Sequence, residues 1–381
     1  MLQTSRRLDG WGARLVNVNL VAAVNPSGPG ASGVRNYVFT LARELTSRGV
    51  DVMVIGHGPN AAKYDAFDFV SVTERIGNAS EFILALALFL KRTHRLQGLV
   101  HANRPDDLVP FHLESPQVPA VLTLHGVHAV HIRAKRGPVP AAAYRLAERY
   151  SLVRARAILC VSPDTLAHFR ALYPFLEDRF RMVPSGVDMD FFRIRSRAEA
   201  RAMFKFPEEH KVVAFVGRFE PEKNPVHVAE EFLALNKQHS DARLVMVGAG
   251  SLTEDIRRLA ASNPGRIHVL PPMDQEKLAW LFSAADVLVV ASYHEGLPTV
   301  ALEGLACGTP IVGTPVGILP QVVKSGVNGF LTDGPLQLAP LLDRALYEVD
   351  WVKEACRNSV RQFGWDRIVP AILEVYSEIW E

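Results

Sequence analysis

ADVLVVASYHEGLPTVALEGLACGTPIV, residues 285–312, holds a strand, a turn and the start of a helix in one line. Val287–Val290 is an unbroken apolar run, which reads as a strand buried on both faces. The chain then turns through Ser292-Tyr293-His294 to Glu295, and Gly296-Leu297-Pro298 opens a helix that carries Glu303. Pro298 suits a first helical position and Gly296 permits close backbone approach. The N–H groups of Gly296, Leu297, Thr299 and Val300 then sit at a positive helix end, a place for phosphate. Glu295 and Glu303 beside such a loop can accept hydrogen bonds from sugar hydroxyls. The bland reading is that Glu295 caps the helix and Glu303 lies on a wet face.

Outward from this stretch, the same alternation runs through all 381 residues. Candidate strands are Leu15–Val24, Val50–Ile55, Leu99–Ala102, Ala120–Leu124 and Ala157–Val161 in the first half. In the second half they are Lys211–Val216, Arg243–Val247, Arg266–Leu270, Asp286–Val290 and Pro310–Gly313. Stretches such as Tyr37–Arg48 and Phe82–Leu96 fit helices between them. This is an α/β chain of two doubly wound parallel sheets. A turn-rich passage over Val183–Phe192 and a charged helix over Arg193–Lys205 mark the seam, so the domains are expected at 1–187 and 188–364, with a last helix at 365–381. Ligands of open parallel sheets bind beyond the carboxyl ends of the strands, which predicts a site in the cleft between the two domains.

A net charge of +2 conceals an asymmetry: residues 1–187 carry +8 and residues 188–381 carry −6. The basic half lacks the dense stripe with interleaved aromatics of a nucleic-acid binder, so no nucleic-acid partner is expected. Cys160, Cys307 and Cys356 are odd in number and far apart, and read as reduced core thiols. The longest uncharged apolar run, Phe82–Leu90, is too short to span a bilayer, and Met1–Arg14 lacks the apolar stretch of a signal peptide. Those features make the cytoplasm the expected location. The sequence assigns no oligomeric state.

Two patterns look like cofactor sites and are discounted. Gly28-Pro29-Gly30-Ala31-Ser32-Gly33 matches G-x-G-x-x-G, but Asn25, Pro26 and Ser27 separate it from the strand, and Asp51 starts the second strand instead of ending it. The loop can still offer N–H groups to an anion at the helix beginning near Gly33. Asp188-Met189-Asp190 has a D-x-D form but no further acid or His nearby, so it reads as a turn, and no metal is expected. A stronger signal is Phe215-Val216-Gly217-Arg218-Phe219-Glu220-Pro221-Glu222-Lys223-Asn224-Pro225, which sets Arg218 and Lys223 at a strand's carboxyl end. Two cations there can neutralise a departing diphosphate. Bridging of both to Glu220 and Glu222 is the plainer alternative. Val121-Leu122-Thr123-Leu124-His125-Gly126 places His125 directly after a strand, and His101 could be a residue of the same kind.

EGLPTVALE with Glu295 and Glu303, VGRFEPEKN upstream, VPSGVD at the seam, TLHG in the first half and SGV after the first strand together resemble the retaining glycosyltransferases of family 4, with the GT-B fold. The resemblance spans nearly the whole chain. It implies that Gly33 offers its N–H to a donor diphosphate, which Arg218 and Lys223 also bind. Glu295 would then hold hydroxyls of the donor sugar, Glu303 the nucleotide ribose, and His125 would contact the sugar near the reacting carbon. The base would lie against Leu270–Met273, and Trp365–Trp380 would be the helix that crosses back to the first domain. Two departures are Ser32-Gly33, where many members have two glycines, and Ser185, where Asn is common.

The function implied is transfer of a sugar from a nucleotide-diphosphate donor to an acceptor hydroxyl, with retention and without metal or other cofactor. No pair of carboxylates placed for two-step retention is evident, and the resemblance implies front-face attack assisted by the donor's own phosphate. A nucleotide-sugar epimerase, a phosphorylase and a non-catalytic sugar-nucleotide-binding protein compete on the same architecture. Residues 133–156 hold Arg133, Lys135, Arg136, Arg145, Arg149, Arg154 and Arg156 against the single acid Glu148, and Phe82–Leu90 runs into Lys91, Arg92 and Arg95. These read either as ordinary solvated charge or as peripheral docking on anionic membrane, toward a lipid-linked acceptor.

Overall fold

In the computed structural model, which describes residues 17–26, 33–59, 66–93, 96–333 and 337–380, the chain divides into two units. One holds the residues up to Pro184 and those from Ile368 on; the other is Ser185–Arg367. Each is built on one wholly parallel sheet covered by helices, because its central strands are apolar on both faces and must be buried on both.

Among the described residues, the first unit's strands are β1 (Asn17–Val21), β2 (Asp51–Gly56), β3 (Asp68–Ser71), β4 (Leu99–Ala102), β5 (Ala120–Leu124), β6 (Ala157–Cys160) and β7 (Phe180–Met182), in spatial order β3-β2-β1-β4-β5-β6-β7. Its helices are α1 (Gly33–Ser47), α2 (Ala79–Thr93), α3 (Val109–Glu114), α4 (His128–Arg136), α5 (Pro138–Arg154) and α6 (Pro163–Leu172). Strand alternation sorts the layers. Val100, Ala102, Leu122 and Leu124 share one core with Phe82 of α2, Phe111 of α3, Leu152 of α5 and Phe169 of α6. His101 and Thr123 point to the opposite face.

The second unit has β8 (Lys211–Val216), β9 (Ala242–Val247), β10 (Ile267–Leu270), β11 (Val287–Val290), β12 (Ile311–Gly313) and β13 (Gly329–Leu331), ordered β10-β9-β8-β11-β12-β13. Its helices are α7 (Arg197–Phe204), α8 (Pro225–Asn236), α9 (Thr253–Ser262), α10 (Gln275–Ala284), α11 (Thr299–Ala306), α12 (Leu319–Val322), α13 (Ala339–Asp343) and α14 (Lys353–Ser359). Asp286 fastens the entry to β11: its Oδ2 accepts from Val212 N at 2.7 Å and from Arg201, a buried guanidinium that also donates to the carbonyl oxygens of Ala284, Pro207, Glu208 and His210. The last helix, α15 (Trp365–Trp380), belongs from Ile368 onward to the first unit, where Tyr376 is fully buried.

Several boundaries differ from the sequence reading. Within the expected Leu15–Val24 strand, the ladder ends at Val21. The charged helix starts at Arg197, where Ser196 Oγ accepts from Glu199 N, and ends at Lys205 in the left-handed region. Pro298 is the residue before α11, not its first member. The short outer strands β3, β7 and β13 carry too few apolar residues to stand out by pattern. No helix among the described residues is long and apolar enough to cross a membrane.

Candidate active site

Strand order fixes where each sheet can open. In the second unit, the connections turn to opposite sides at β8 and β11, leaving a crevice beyond the carboxyl ends of that pair. The loops leaving these strands carry Arg218, Lys223 and Glu295. Arg218 is exposed, but its neighbours are fixed: Gly217 N donates to Val247 O at 3.0 Å and Phe219 N to Ala249 O at 2.9 Å, with the Phe219 ring buried. This closeness demands glycine on the facing loop. A Cβ on Gly248 would lie 1.9 Å from Gly217 O, and one on Gly250 2.4 Å from Phe219 O. One 3₁₀ turn, Pro221–Lys223, then ends at Asn224 with φ +55°, which directs the chain into α8.

The two loops are tied together. Tyr293 N donates to Glu222 O at 3.0 Å, Lys223 Nζ pairs with Glu295 Oε1, and Ser292 Oγ donates to the same oxygen at 2.7 Å. Arg218 Nη2 donates to Glu222 Oε1 at 2.9 Å. Bridging to acids is therefore correct for Arg218, whereas Glu220 instead accepts from Ser251 and Lys223 reaches across to β11's loop. Lys223 and Glu295 are both largely buried, so removing either leaves a poorly hydrated charge.

Glu295 leads into Gly296, Leu297 and Pro298, and Thr299 and Val300 begin α11, so their N–H groups have no acceptor within the helix. Gly317, at φ +58° in the loop after β12, packs against this turn: a Cβ there would meet Gly296 O at 2.8 Å and Pro298 Cδ at 3.2 Å. Glu303 is the fifth residue of α11, and among the described residues its carboxyl has no hydrogen-bond or ion-pair partner. Burial pushes its pKa up from 4.5 to about 7. The two acids thus differ: one is pinned by a lysine and a serine, the other is half-buried with its acceptor capacity unspent. Leu270–Met273 leaves the carboxyl end of β10, the sheet's edge strand.

The first unit's order reverses at β1 and β4. Gly33 opens α1, exposed, with nothing within 4 Å of a Cβ built on it. The remainder of Gly28–Gly33 lies outside the described residues. His125 follows β5, and its Nε2 lies 2.9 Å from Asn103 Oδ1. Asn103 uses its amide nitrogens on Val21 O, at the end of β1, so its oxygen is the acceptor and His125 Nε2 carries the proton. The Tyr37 ring meets the imidazole edge to face, with centroids 4.8 Å apart. Burial, followed by the neighbouring His128 and His101, lowers His125 to about 3, which makes it a neutral ring with Nδ1 as an acceptor.

His101 is a different kind of residue from His125. Fully buried, it bonds Tyr376 OH through Nδ1 at 2.5 Å and Thr123 Oγ1 through Nε2 at 2.6 Å, fastening α15 to the sheet. Asn103, Ser292 and Gly317 were not singled out by sequence, although the rule that site residues follow strands reaches all three. Asp188-Met189-Asp190 forms a turn in which Asp188 Oδ1 accepts from Asp190 N and Phe191 N. The three cysteines are free and buried, their thiols pushed up to about 12.

Residues 31–191 match the family model described as Glycosyltransferase Family 4, and residues 196–349 the one described as Glycosyl transferases group 1. A D-inositol 3-phosphate glycosyltransferase of Acidothermus cellulolyticus is 32% identical across 91% of this chain and 86% of its own. One from Mycolicibacterium smegmatis is 29% identical across 99% and 92%. Among solved structures, sucrose-phosphate synthase from Thermosynechococcus elongatus is similar with a TM-score of 0.83 at 23% identity, covering 96% of this chain and 99% of that one. Anabaena Alr3699/HepE in complex with UDP-glucose gives 0.74 at 17% identity, covering 95% and 99%. With family models on both halves and a relative of this identity along nearly its whole length, the chain belongs to glycosyltransferase family 4 and has the GT-B fold.

Proposed function

We propose that this glycosyltransferase moves a sugar from a nucleotide-diphosphate donor to an acceptor hydroxyl with retention at the anomeric carbon and without a metal. The observation that carries the reading is the Lys223–Glu295 pair joining the loops of β8 and β11, with Arg218 on the first of them. In the reaction the bond from the anomeric carbon to the β-phosphate oxygen breaks, its electrons passing to the phosphate. The acceptor oxygen bonds to that carbon from the same face, and its proton goes to the departing phosphate oxygen. Arg218 and Lys223 stabilise the charge gathering there. Glu295 is held by Lys223 and Ser292, which suits it to position hydroxyls and not to attack carbon. Glu303, with no partner among the described residues, takes the ribose hydroxyls. In the first unit the reading assigns Gly33 N–H to the diphosphate and the neutral His125 to the transferred sugar.

The test is a screen of nucleotide sugars with candidate acceptors, with the product's anomeric configuration read by NMR. Because the similar proteins are named D-inositol 3-phosphate glycosyltransferases, inositol phosphate is the first acceptor to try. Retained configuration and full activity in excess EDTA are expected. An inverted product, or activity lost to EDTA and restored by Mn²⁺ or Mg²⁺, would overturn the mechanism. Turnover of the donor with no acceptor present would point to an epimerase.

A further inference from the structure

The first unit exposes large apolar side chains on one helical layer. On α5, Val139, Leu146 and Val153 recur every seven residues and are 77%, 73% and 38% exposed. Seven residues are nearly two helical turns, so the three line one stripe on the side opposite Tyr144, Glu148 and Leu152, which are buried. Tyr150 lies on the same side with the Arg154 guanidinium stacked 3.8 Å above its ring. Arg145 and Arg149 on α5, and Arg133 and Arg136 on the preceding α4, are exposed. None of these four arginines has a hydrogen-bond or ion-pair partner among the described residues, and Glu148, the one acid of α4 and α5, is turned inward to Tyr173 OH. Leu113 of α3, which packs against both α5 and α2, and Leu84 and Leu88 of α2 expose further apolar surface on this layer.

We propose that this face, centred on the Val139–Leu146–Val153 stripe of α5, docks the enzyme on anionic membrane. An apolar stripe flanked by arginines is what an interfacial helix presents to acyl chains and lipid phosphates. A second copy of the chain is a poorer fit: a two-fold contact sets the same patch against itself and brings unpaired arginines face to face. The inference stands apart from the transferase reading, since docking needs no nucleotide sugar.

Co-sedimentation of the full chain with phosphatidylcholine vesicles carrying rising amounts of phosphatidylglycerol tests it. Binding should grow with phosphatidylglycerol and collapse at high salt. R145E with R149E should weaken it by at least about fivefold per residue changed. V139Q with L146Q should weaken it by about tenfold, with the melting temperature and the retention volume on gel filtration unchanged. Absence of binding at low salt to vesicles half composed of phosphatidylglycerol would overturn the inference, as would binding that both double variants leave intact. A dimer in sedimentation velocity that L146Q dissociates would assign the face to a second copy instead.

Discussion

Replacing Glu303 by glutamine should stabilise the protein, and only as the pH rises above about 4.5. Burial raises this carboxyl from 4.5 to about 7, so the folded chain holds its proton more tightly than the unfolded one. The associated stability is fully present below pH about 4.5, declines as pH rises toward 7, and is gone above it. At about 1.4 kcal/mol for each pH unit, the ionised side chain costs the fold about 3 kcal/mol, an upper figure for a partly accessible group. Urea unfolding of the parent and of E303Q should therefore give matching free energies at pH 4.5, with the variant ahead by up to about 3 kcal/mol at pH 8.5. The same carboxyl should lose its proton when ribose hydroxyls bond to it. Calorimetry of nucleotide binding at pH 6.5, in buffers of different ionisation enthalpy, should show release of up to about three-quarters of a proton in the parent and none in E303Q. Equal stability of parent and variant at both pH values would refute the burial argument. Normal nucleotide affinity in E303Q would refute the ribose assignment alone.

Other expectations follow from the loops around the two sheets. R218A and K223A should each lower kcat by about 10²–10³, and K223A should also destabilise the fold by leaving Glu295 charged with only Ser292 beside it, which thermal melting would register. N103A should cut kcat by about tenfold while donor KM stays within about threefold, because it unfixes His125 without touching the donor. In N103D a carboxylate faces the same imidazole and raises its pKa, so an acidic limb should enter a kcat profile that the parent keeps flat, as far as His125 is concerned, from pH 5 to 8. G33A should melt with the parent yet bind donor more weakly, since its Cβ meets open space, whereas G248A should lose at least about 2 kcal/mol because its Cβ would strike Gly217 O.

The interior strands were legible because burial on both faces writes itself as runs of Val, Leu and Ile: β4, β5 and β8 fall on the stretches read for them. The edge strand Gly329–Leu331 was not, being three residues long and opening on a glycine. At the site, Arg218, Lys223 and Glu295 stood out because charge directly after an apolar strand is conspicuous. Their pairing was not legible, since it depends on β8 and β11 being neighbours although 70 residues of chain, Gly217–Asp286, separate them. Asn103 escaped notice for a related reason: it joins the ends of β1 and β4 to His125, and sequence shows each of those three positions only on its own.

The first unit is interrupted in the chain by the whole of the second. Its sheet is complete once Phe180–Met182 has been made, but Tyr376 and the apolar residues of α15 that cover its second face come after residue 367. A ribosome adding about 5–20 residues per second needs roughly 10–40 s to supply them. Until then His101 and Thr123 lack the cover they have in the finished protein, so the first unit must wait while the second, continuous in sequence, can fold as it emerges. Synthesis order is thus reversed in folding order. A stalled chain ending near Pro184 should be the species that chaperones hold and proteases cut.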